Sequence, residues 1–274
     1  IINKKQSIVS TTNLEKQNVY NLTEKVVEMA KVVPENQYCG LAASDKIKQV
    51  SKQEVQKLEI CDTYEPTMSL IEKEVIKLEE SALDNKEITN SEGAEIAYSK
   101  NSICLLGSNG LEIEMEKTHS DFIIAVLAGS KDSMEREYDY KSKVFYNELG
   151  DFEKIGKEVS QNAIKKLNSR KLKTCKSDVI FDSKVSSSLL RNLFSASNAQ
   201  SIVKGISFLK DKMNNKVFND RISIIDDPLM PKKLRSKISD CEGIQSKKKF
   251  LIEKGYLKFF FNSLASAKQI KHEP

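Results

Sequence analysis

The chain has 274 residues, enough for one large domain or two ordinary domains that each bury an apolar core. Its 39% apolar and 30% charged residues are typical of a water-soluble globular protein. The longest apolar run, Phe122 to Ala128, is far shorter than the roughly 20 residues of a membrane-spanning helix. Because the first residues also lack a basic segment followed by an apolar one, we expect a cytoplasmic protein without membrane contact.

The net charge of +5 hides a difference between the two halves of the chain. Residues 1–140 contain 16 Lys and Arg against 25 Asp and Glu, a charge of −9, whereas residues 141–274 contain 28 against 14, a charge of +14. A basic half is typical of proteins that bind nucleic acid, a membrane surface or an acidic partner. Evenly scattered lysines also fit a plain solvated surface.

The cysteine pattern argues against a disulfide framework or a zinc ribbon. Five cysteines occur without any C-x-x-C pair, and their number is odd. We expect reduced thiols.

The first part of the chain predicts helices, three of which open with a capping box. Thr12-x-x-Glu15 precedes a helix that runs to Pro34, Ser51-x-x-Glu54 opens a short helix to Leu58, and Ser69-x-x-Glu72 opens a longer helix through Ala82. Another short helix is expected around Lys46 to Val50.

The apolar period then changes to two, which is typical of strands. Asn109-Gly110 between two apolar runs predicts a type I′ hairpin. With Phe122 to Ala128 this gives about four antiparallel strands, with helices on one face. The lone His119, just before the last strand, is more often a hydrogen-bonded strand residue than a ligand.

A helix capped by Asp151 should end the first domain, which we place at residues 1–172. The second domain, residues 173–274, should contain a strand at Val179 to Phe181, a helix through Ala196 and a helix or extended segment at 202–213. A β meander follows, with a hairpin whose three-residue loop ends at Gly255. The fold class is therefore α+β, with an antiparallel sheet and helices in the first domain and mainly a β meander with helices in the second.

The meander contains four candidate site carboxylates, Asp226, Asp227, Asp240 and Glu242. They could form a divalent-metal or acid/base cluster. Alternatively, Asp before Pro and an acidic turn ending at Gly243 are ordinary turn chemistry, which the absence of a nearby His or Cys pair favours. The only two histidines of the sequence lie outside any H-E-x-x-H pattern, so we predict neither catalytic nor metal-binding residues in this chain.

Several short motifs, taken together, resemble the TldD/PmbA family and its PmbA (TldE) branch. In the meander they are Asp226-Asp227-Pro228, Asp240-Cys241-Glu242-Gly243, Leu251 to Leu257 and Ser266-Ala267-Lys268; upstream they are Thr89 to Ala94, Ser108-Asn109-Gly110, Thr118-His119-Ser120 and Met134-Glu135-Arg136. The family usually has Asp-Asp-Glu-Gly at the second of these, so Cys241 departs from it.

This resemblance implies a two-branch system in which the TldD branch carries a His-Glu-x-x-x-His metal helix. The matching helix here, Ser186 to Ala196, has no ligand residue type in the window Arg191 to Ala196. The resemblance thus implies a non-catalytic PmbA-type subunit that works with a TldD-type metallopeptidase on peptides or unfolded proteins. Zinc is then expected only in that partner, and Asp226, Asp227, Asp240, Glu242 and Gly243 form structural or substrate-facing turns.

Two further expectations concern assembly and the rival function. Family members extend further at both ends, so we expect a fragment whose open sheet edges favour dimers or larger species, including homo-oligomers. The alternative is a nucleic-acid-associated regulatory protein that uses the basic second half, although few aromatic residues interleave with its cations. Those cations are Lys232, Lys233, Arg235, Lys237 and Lys247-Lys248-Lys249.

Overall fold

The computed structural model describes residues 1–130 and 133–272, and its α+β organisation confirms the predicted fold class. The elements before the first sheet are α1 (Lys16–Val32), a 3-10 turn (Ser44–Lys46), α2 (Lys52–Lys57) and α3 (Met68–Leu83). None of the helices in this described part of the chain is long and apolar enough to cross a membrane.

A long antiparallel hairpin forms the centre of the first part. β1 (Ile88–Leu106) pairs with β2 (Glu112–Ala128), and β3 (Glu135–Lys143) pairs with the other edge of β2. A further 3-10 turn (Tyr146–Glu148) leads into α4 (Phe152–Lys166), which packs with α3 on one face of the sheet. The core between these layers is fully buried at positions from all three elements, including Leu78, Phe122, Ile124, Val126 and Val159.

The first sheet was predicted to have about four strands, and the described part of the chain has three. Ser99 to Ser102 and Glu116 to His119 are too polar to suggest strands, yet they pair with each other across the hairpin and join the apolar runs on either side. In a two-stranded ladder the backbone hydrogen bonds do not depend on side-chain polarity, so the pairing continues through them. The third strand, β3, was not predicted.

The hairpin at Asn109-Gly110 is confirmed, but its turn type was predicted wrongly. Gly110 N donates to Gly107 O at 3.1 Å, so Ser108 and Asn109 are the central residues, and neither has a positive φ. Gly110 follows at φ 88°, the arrangement of a type I turn with a glycine bulge. Asn109 is held there because its Nδ2 donates to Ala42 O at 3.0 Å.

The helix caps were predicted with mixed success. The Ser51 and Glu54 box is present in full, and Asp151 accepts hydrogen bonds from the first turn of α4. The Thr12 box is wrong because α1 begins only at Lys16, after a turn in which Asn13 Oδ1 accepts from Glu15 N. At α3 the cap is Thr67, whose hydroxyl accepts from Leu70 N, so the helix starts one residue before Ser69. Residues 47–50 are not helical.

The second part contains short elements around a smaller core. These are α5 (Ser183–Ala196), α6 (Ala199–Val203), β4 (Ile224–Asp226), β5 (Lys249–Glu253), β6 (Tyr256–Leu257) and α7 (Leu264–Ile270). The three strands form an antiparallel meander in the order β4-β5-β6. Leu251, Ile252 and Leu257 are fully buried and pack against Leu209 and Phe260.

The predicted hairpin after Phe250 is confirmed with a shorter loop. Glu253 pairs with Tyr256, so the loop has two residues, Lys254 at φ 46° and Gly255 at φ 83°. Two successive positive φ angles make this the type I′ turn of the molecule's second sheet.

The strand predicted at Val179 to Phe181 is wrong. These residues are neither helix nor strand, and their exposed fractions are 72%, 96% and 47%. An apolar run becomes a strand only where another strand accepts its backbone hydrogen bonds, and β4 to β6 pair among themselves instead. Residues 202–213 contain only the end of α6, followed by turns. The proposed domain boundary at residues 172–173 lies in the irregular segment between α4 and α5 and stays a prediction.

A third apolar cluster joins the two parts of the chain. Ile47, Leu111 and Ile113 from the first part pack with Ile244 and Leu264 from the second. The tip of the long hairpin therefore rests on the acidic turn of the meander.

Candidate functional site

A cleft of about 910 Å³ opens in the second part of the chain, where β4 ends. Its walls come from residues 226–237, residues 240–249 and the aromatic segment Phe259 to Phe261. The walls are fixed by backbone hydrogen bonds, since Lys237 N donates to Pro228 O at 2.9 Å and Ser246 N donates to Ile238 O at 2.8 Å. Lys46 reaches the cleft from the 3-10 turn of the first part.

Asp226, the last residue of β4, has the fewest side-chain partners of the described carboxylates in the cleft. It is partly buried, and within the described residues its side chain has no hydrogen bond or ion pair. Burial raises the pKa of this carboxyl group, and the nearby charges of Lys237 and Lys249 only partly oppose that shift. A half-buried carboxylate without a donor is available to one supplied by a ligand.

Asp227 and Asp240 are turn residues, as the second of the two interpretations expects. Asp227 Oδ1 accepts from Leu229 N at 3.2 Å, and its other oxygen lies 3.2 Å from Lys248 Nζ. Asp240 Oδ1 accepts two backbone N–H groups, from Glu242 and Ile244, both at 2.9 Å. Each carboxylate bonds the backbone two residues ahead, which is how Asp stabilises turns.

Glu242 and Gly243 lie behind the cleft instead of lining it. Glu242 Oε2 accepts from Leu264 N, the first residue of α7, at 2.9 Å. Burial is the main reason that the pKa of Glu242 is raised, with Asp240 adding to the shift. Gly243 has φ 85°, and its carbonyl accepts from Lys48 N at 2.8 Å. The structure thus brings three of the five predicted site residues into one cleft, and whether they contact a substrate stays a prediction.

The described residues offer no grouped set of ligands for a zinc ion. Across residues 1–130 and 133–272 no three His, Cys, Asp or Glu side chains are grouped so that they could hold a metal. His119 lies on β2 with its Nε2 3.6 Å from Asp121 Oδ1, and His272 packs its ring against Phe260. Neither histidine lines the cleft.

Six basic side chains surround the cleft, and sequence reasoning found only part of this set. They are Lys46, Lys233, Arg235, Lys237, Lys247 and Lys249. Lys232 and Lys248, which the charge pattern also suggested, are engaged elsewhere: Lys232 lies 3.5 Å from Glu59 and 4.9 Å from the Phe145 ring centre, and Lys248 pairs with Asp227. Lys46 carried no signal in the sequence. The run Phe259 to Phe261 is expected to continue the hairpin strand, but β6 ends at Leu257 and these residues line the cleft.

Helix α5 is the second feature that bears on function. Its window from Arg191 to Ala196, which the resemblance matches to the family's metal motif, contains no metal-ligand residue type. Leu193 is buried in the second core, and the Phe194 ring packs on Phe261 with ring centres 5.5 Å apart. Other apolar side chains of α5 are partly open to solvent, with exposed fractions of 44% for Val185, 50% for Leu189 and 42% for Leu190.

Comparison with known protein families matches both parts of the chain. The central domain of the PmbA/TldA metallopeptidases matches residues 45–167, and their C-terminal domain matches residues 174–274. The chain belongs to the PmbA/TldD family. The resemblance that the motifs indicated is therefore confirmed.

Relatives in the PmbA/TldD family align with almost the whole chain. A metalloprotease PmbA homolog from Buchnera aphidicola is 27% identical over 271 residues, covering 97% of this chain and 59% of the relative. Metalloprotease PmbA from Escherichia coli O157:H7 is 24% identical over 269 residues, covering 98% and 59% respectively. The chain thus spans about three fifths of the length of these PmbA relatives.

Solved structures share the fold. A Bacteroides thetaiotaomicron protein described as a candidate modulator of DNA gyrase superposes with a TM-score of 0.92 at 22% identity, over 99% of this chain and 62% of that one. TldE from Thermococcus kodakarensis gives a TM-score of 0.73 at 19% identity, over 99% and 60%. At these identities the likeness concerns the PmbA/TldE fold alone.

Proposed function

We propose that this chain is a PmbA/TldE-type subunit that works with a TldD-type metallopeptidase on peptides or unfolded protein segments. The observation that carries the proposal is α5, which has apolar side chains at Val185, Leu189 and Leu190 that are partly exposed and no metal-ligand residue in its Arg191 to Ala196 window. Contiguous apolar side chains in water are unfavourable and mark surfaces that a partner covers. In this proposal the partner holds the zinc and this chain shapes the path of the substrate.

The proposed setting is the cytoplasm. All five cysteines are free, which suits a reducing compartment, and family membership supports a role in proteolysis or peptide maturation. The basic cleft then belongs to a surface that a peptide meets before it reaches the partner's metal.

Co-expression with a TldD-type subunit tests the partnership, read by size-exclusion chromatography with light scattering. We expect a stable complex with the wild-type chain. The double change Leu189→Ser and Leu190→Ser should weaken the complex by about tenfold, because two half-exposed leucines lose their apolar contact area.

The matched control is Ile206→Ser with Phe208→Ser, two residues that are more exposed, at 75% and 72%, and lie outside α5. We expect this control to bind like the wild type. A wild-type chain that stays monomeric beside the partner would overturn the proposed function, and equal binding by the α5 variant would overturn the role of that helix.

Metal analysis of the purified chain tests the non-catalytic part of the proposal. We expect zinc far below one ion per chain, with a circular dichroism spectrum that a chelator leaves unchanged. Stoichiometric zinc that resists dialysis would contradict the proposal that the metal belongs to the partner.

A further inference from the structure

The six cations around the cleft are grouped on one concave surface. Among the described residues, none of Lys46, Lys233, Arg235, Lys237, Lys247 and Lys249 takes part in an ion pair. Lys48 and Lys184, by contrast, lie 2.7 Å from Glu54 and 2.9 Å from Glu137. Unpaired charges of one sign on a concave surface concentrate their field there and attract anionic ligands.

The carboxylates of the same cleft restrict what that anion can be. Asp227 and Asp240 are occupied by their own turns, but Asp226 is half-buried between the basic walls and accepts no hydrogen bond in the described structure. A DNA backbone offers only oxygen acceptors, many of them anionic, towards such a group, so Asp226 would repel it. A peptide offers both carboxylates for the cations and N–H donors for Asp226.

One wall of the cleft also suits a peptide. Phe259 to Phe261 line it, and Lys249 Nζ lies 5.6 Å from the Phe259 ring centre. An apolar wall beside cations accommodates the methylene groups of Glu and the backbone of an extended chain. A stacking platform for bases would need exposed rings between the cations, and here the ring of Phe260 is buried.

We propose that this cleft binds acidic peptide segments, with Asp or Glu side chains of the ligand on the six cations and a ligand N–H group on Asp226. The proposal rests on the proposed function in taking peptides as ligands, and it adds their chemical class. Acidic segments of a substrate would be held on this subunit while another stretch reaches the partner.

Fluorescence anisotropy of the chain alone, with labelled peptides of equal length, tests this directly. The probes are alternating Glu-Ser, Gln-Ser and Lys-Ser peptides. We expect the Glu peptide to bind at least about tenfold more tightly than the other two, and its affinity to fall as salt is added, because these charges lie at the solvent-exposed surface. Equal affinity for the Glu and Gln peptides would overturn the proposal.

A charge-matched pair of variants locates the binding. Arg235→Gln with Lys237→Gln should weaken binding of the Glu peptide by about tenfold, the effect of two lost ion pairs. Lys204→Gln with Lys210→Gln removes the same charge at exposed positions outside the cleft and should change the affinity less than about twofold. Circular dichroism checks that both variants fold. Equal losses in the two variants would show attraction by net charge and would overturn the cleft as the site.

An oligothymidylate of the same charge as the Glu peptide separates a peptide site from a nucleic-acid site. Asp226→Ala should weaken binding of the peptide, because its N–H group loses an acceptor. The same change should strengthen binding of the oligonucleotide, because a repulsive charge is removed. The assignment would be overturned if the oligonucleotide bound as tightly as the peptide. It would also be overturned if Asp226→Ala increased the affinity for both ligands. Because no partner subunit is present, a negative result here leaves the co-expression result, and with it the proposed function, unaffected.

Discussion

Lys184 Nζ, in the first turn of α5, donates a hydrogen bond of 2.9 Å to Glu137 Oε1 on β3 and so joins the second part of the chain to the first sheet. The Glu137 side chain is only 9% exposed and also pairs with Lys166 of α4. Lys184 donates in addition to Tyr138 O at 3.0 Å. A nearly buried carboxylate thus depends on two cations from two different helices.

Lys184→Met should destabilise the folded chain by about 1–2 kcal/mol, because Glu137 keeps one partner and loses a charge-assisted hydrogen bond. Urea unfolding followed by circular dichroism measures the change. Lys154→Met is the matched control, since its pair with Glu158 spans 3.8 Å between side chains that are 74% and 57% exposed. If Lys154→Met lowered the free energy of unfolding as much as Lys184→Met, the Lys184–Glu137 pair would contribute no more than an exposed ion pair.

The same carboxylate gives a prediction for acid stability. Burial by itself raises the pKa of Glu137, but the hydrogen bonds from Lys166 and Lys184 outweigh it and leave the pKa below its usual 4.5. A group with a lowered folded-state pKa stabilises the fold above the unfolded value and loses that contribution as the pH falls. We expect stability to decline as the pH is lowered from about 4.5, and Glu137→Gln to have a shallower decline. If the free energy of unfolding fell equally steeply with pH in both proteins, Glu137 would not be the source of the acid sensitivity.

Gly243 supplies a prediction about the joint between the two parts. A Cβ there would lie 2.8 Å from Ile47 Cδ1 and 2.9 Å from Leu111 Cδ1, and the backbone is at φ 85°. Gly93 is also at positive φ, 111°, but an added Cβ would meet nothing within 4 Å. Both Ala variants therefore strain the backbone, and Gly243→Ala should cost about 1 kcal/mol more through overpacking. Equal thermal shifts in calorimetry would mean that the Ile47 and Leu111 methyl groups move aside freely.

The parts of the fold that the sequence predicted correctly depend on local chemistry. The Ser51 cap and the Asp151 cap each satisfy backbone N–H groups within three residues, so nothing distant competes with them. The Lys254-Gly255 loop was found for the same reason. Thr67 was missed because Ser69 offers the same hydroxyl two residues later, and only the packing of α3 on the sheet decides between them.

Features that depend on distant contacts could not be predicted. The polar middle of the long hairpin is a strand because the other strand of the hairpin pairs with it. Val179 to Phe181 is not a strand, because none of the described strands pairs with it. The carboxylates of the candidate site were identified from their turns. Lys46 lies at the cleft because its neighbour Ile47 packs on Ile244, about 200 residues away along the chain, and no local sequence pattern indicates such a contact.

The last prediction separates the two interpretations of Asp240. Its Oδ1 accepts from Glu242 N and Ile244 N, so the turn needs one acceptor oxygen and does not need a charge. Asp240→Asn keeps that oxygen, so its free energy of unfolding should be within about 0.5 kcal/mol of the wild-type value. Asp240→Ala leaves two N–H groups unsatisfied and should lower the free energy of unfolding by about 1–2 kcal/mol. Denaturant midpoints of the two variants measure the difference. If Asn proved as damaging as Ala, the carboxylate would matter for its charge, and turn chemistry alone would not account for Asp240.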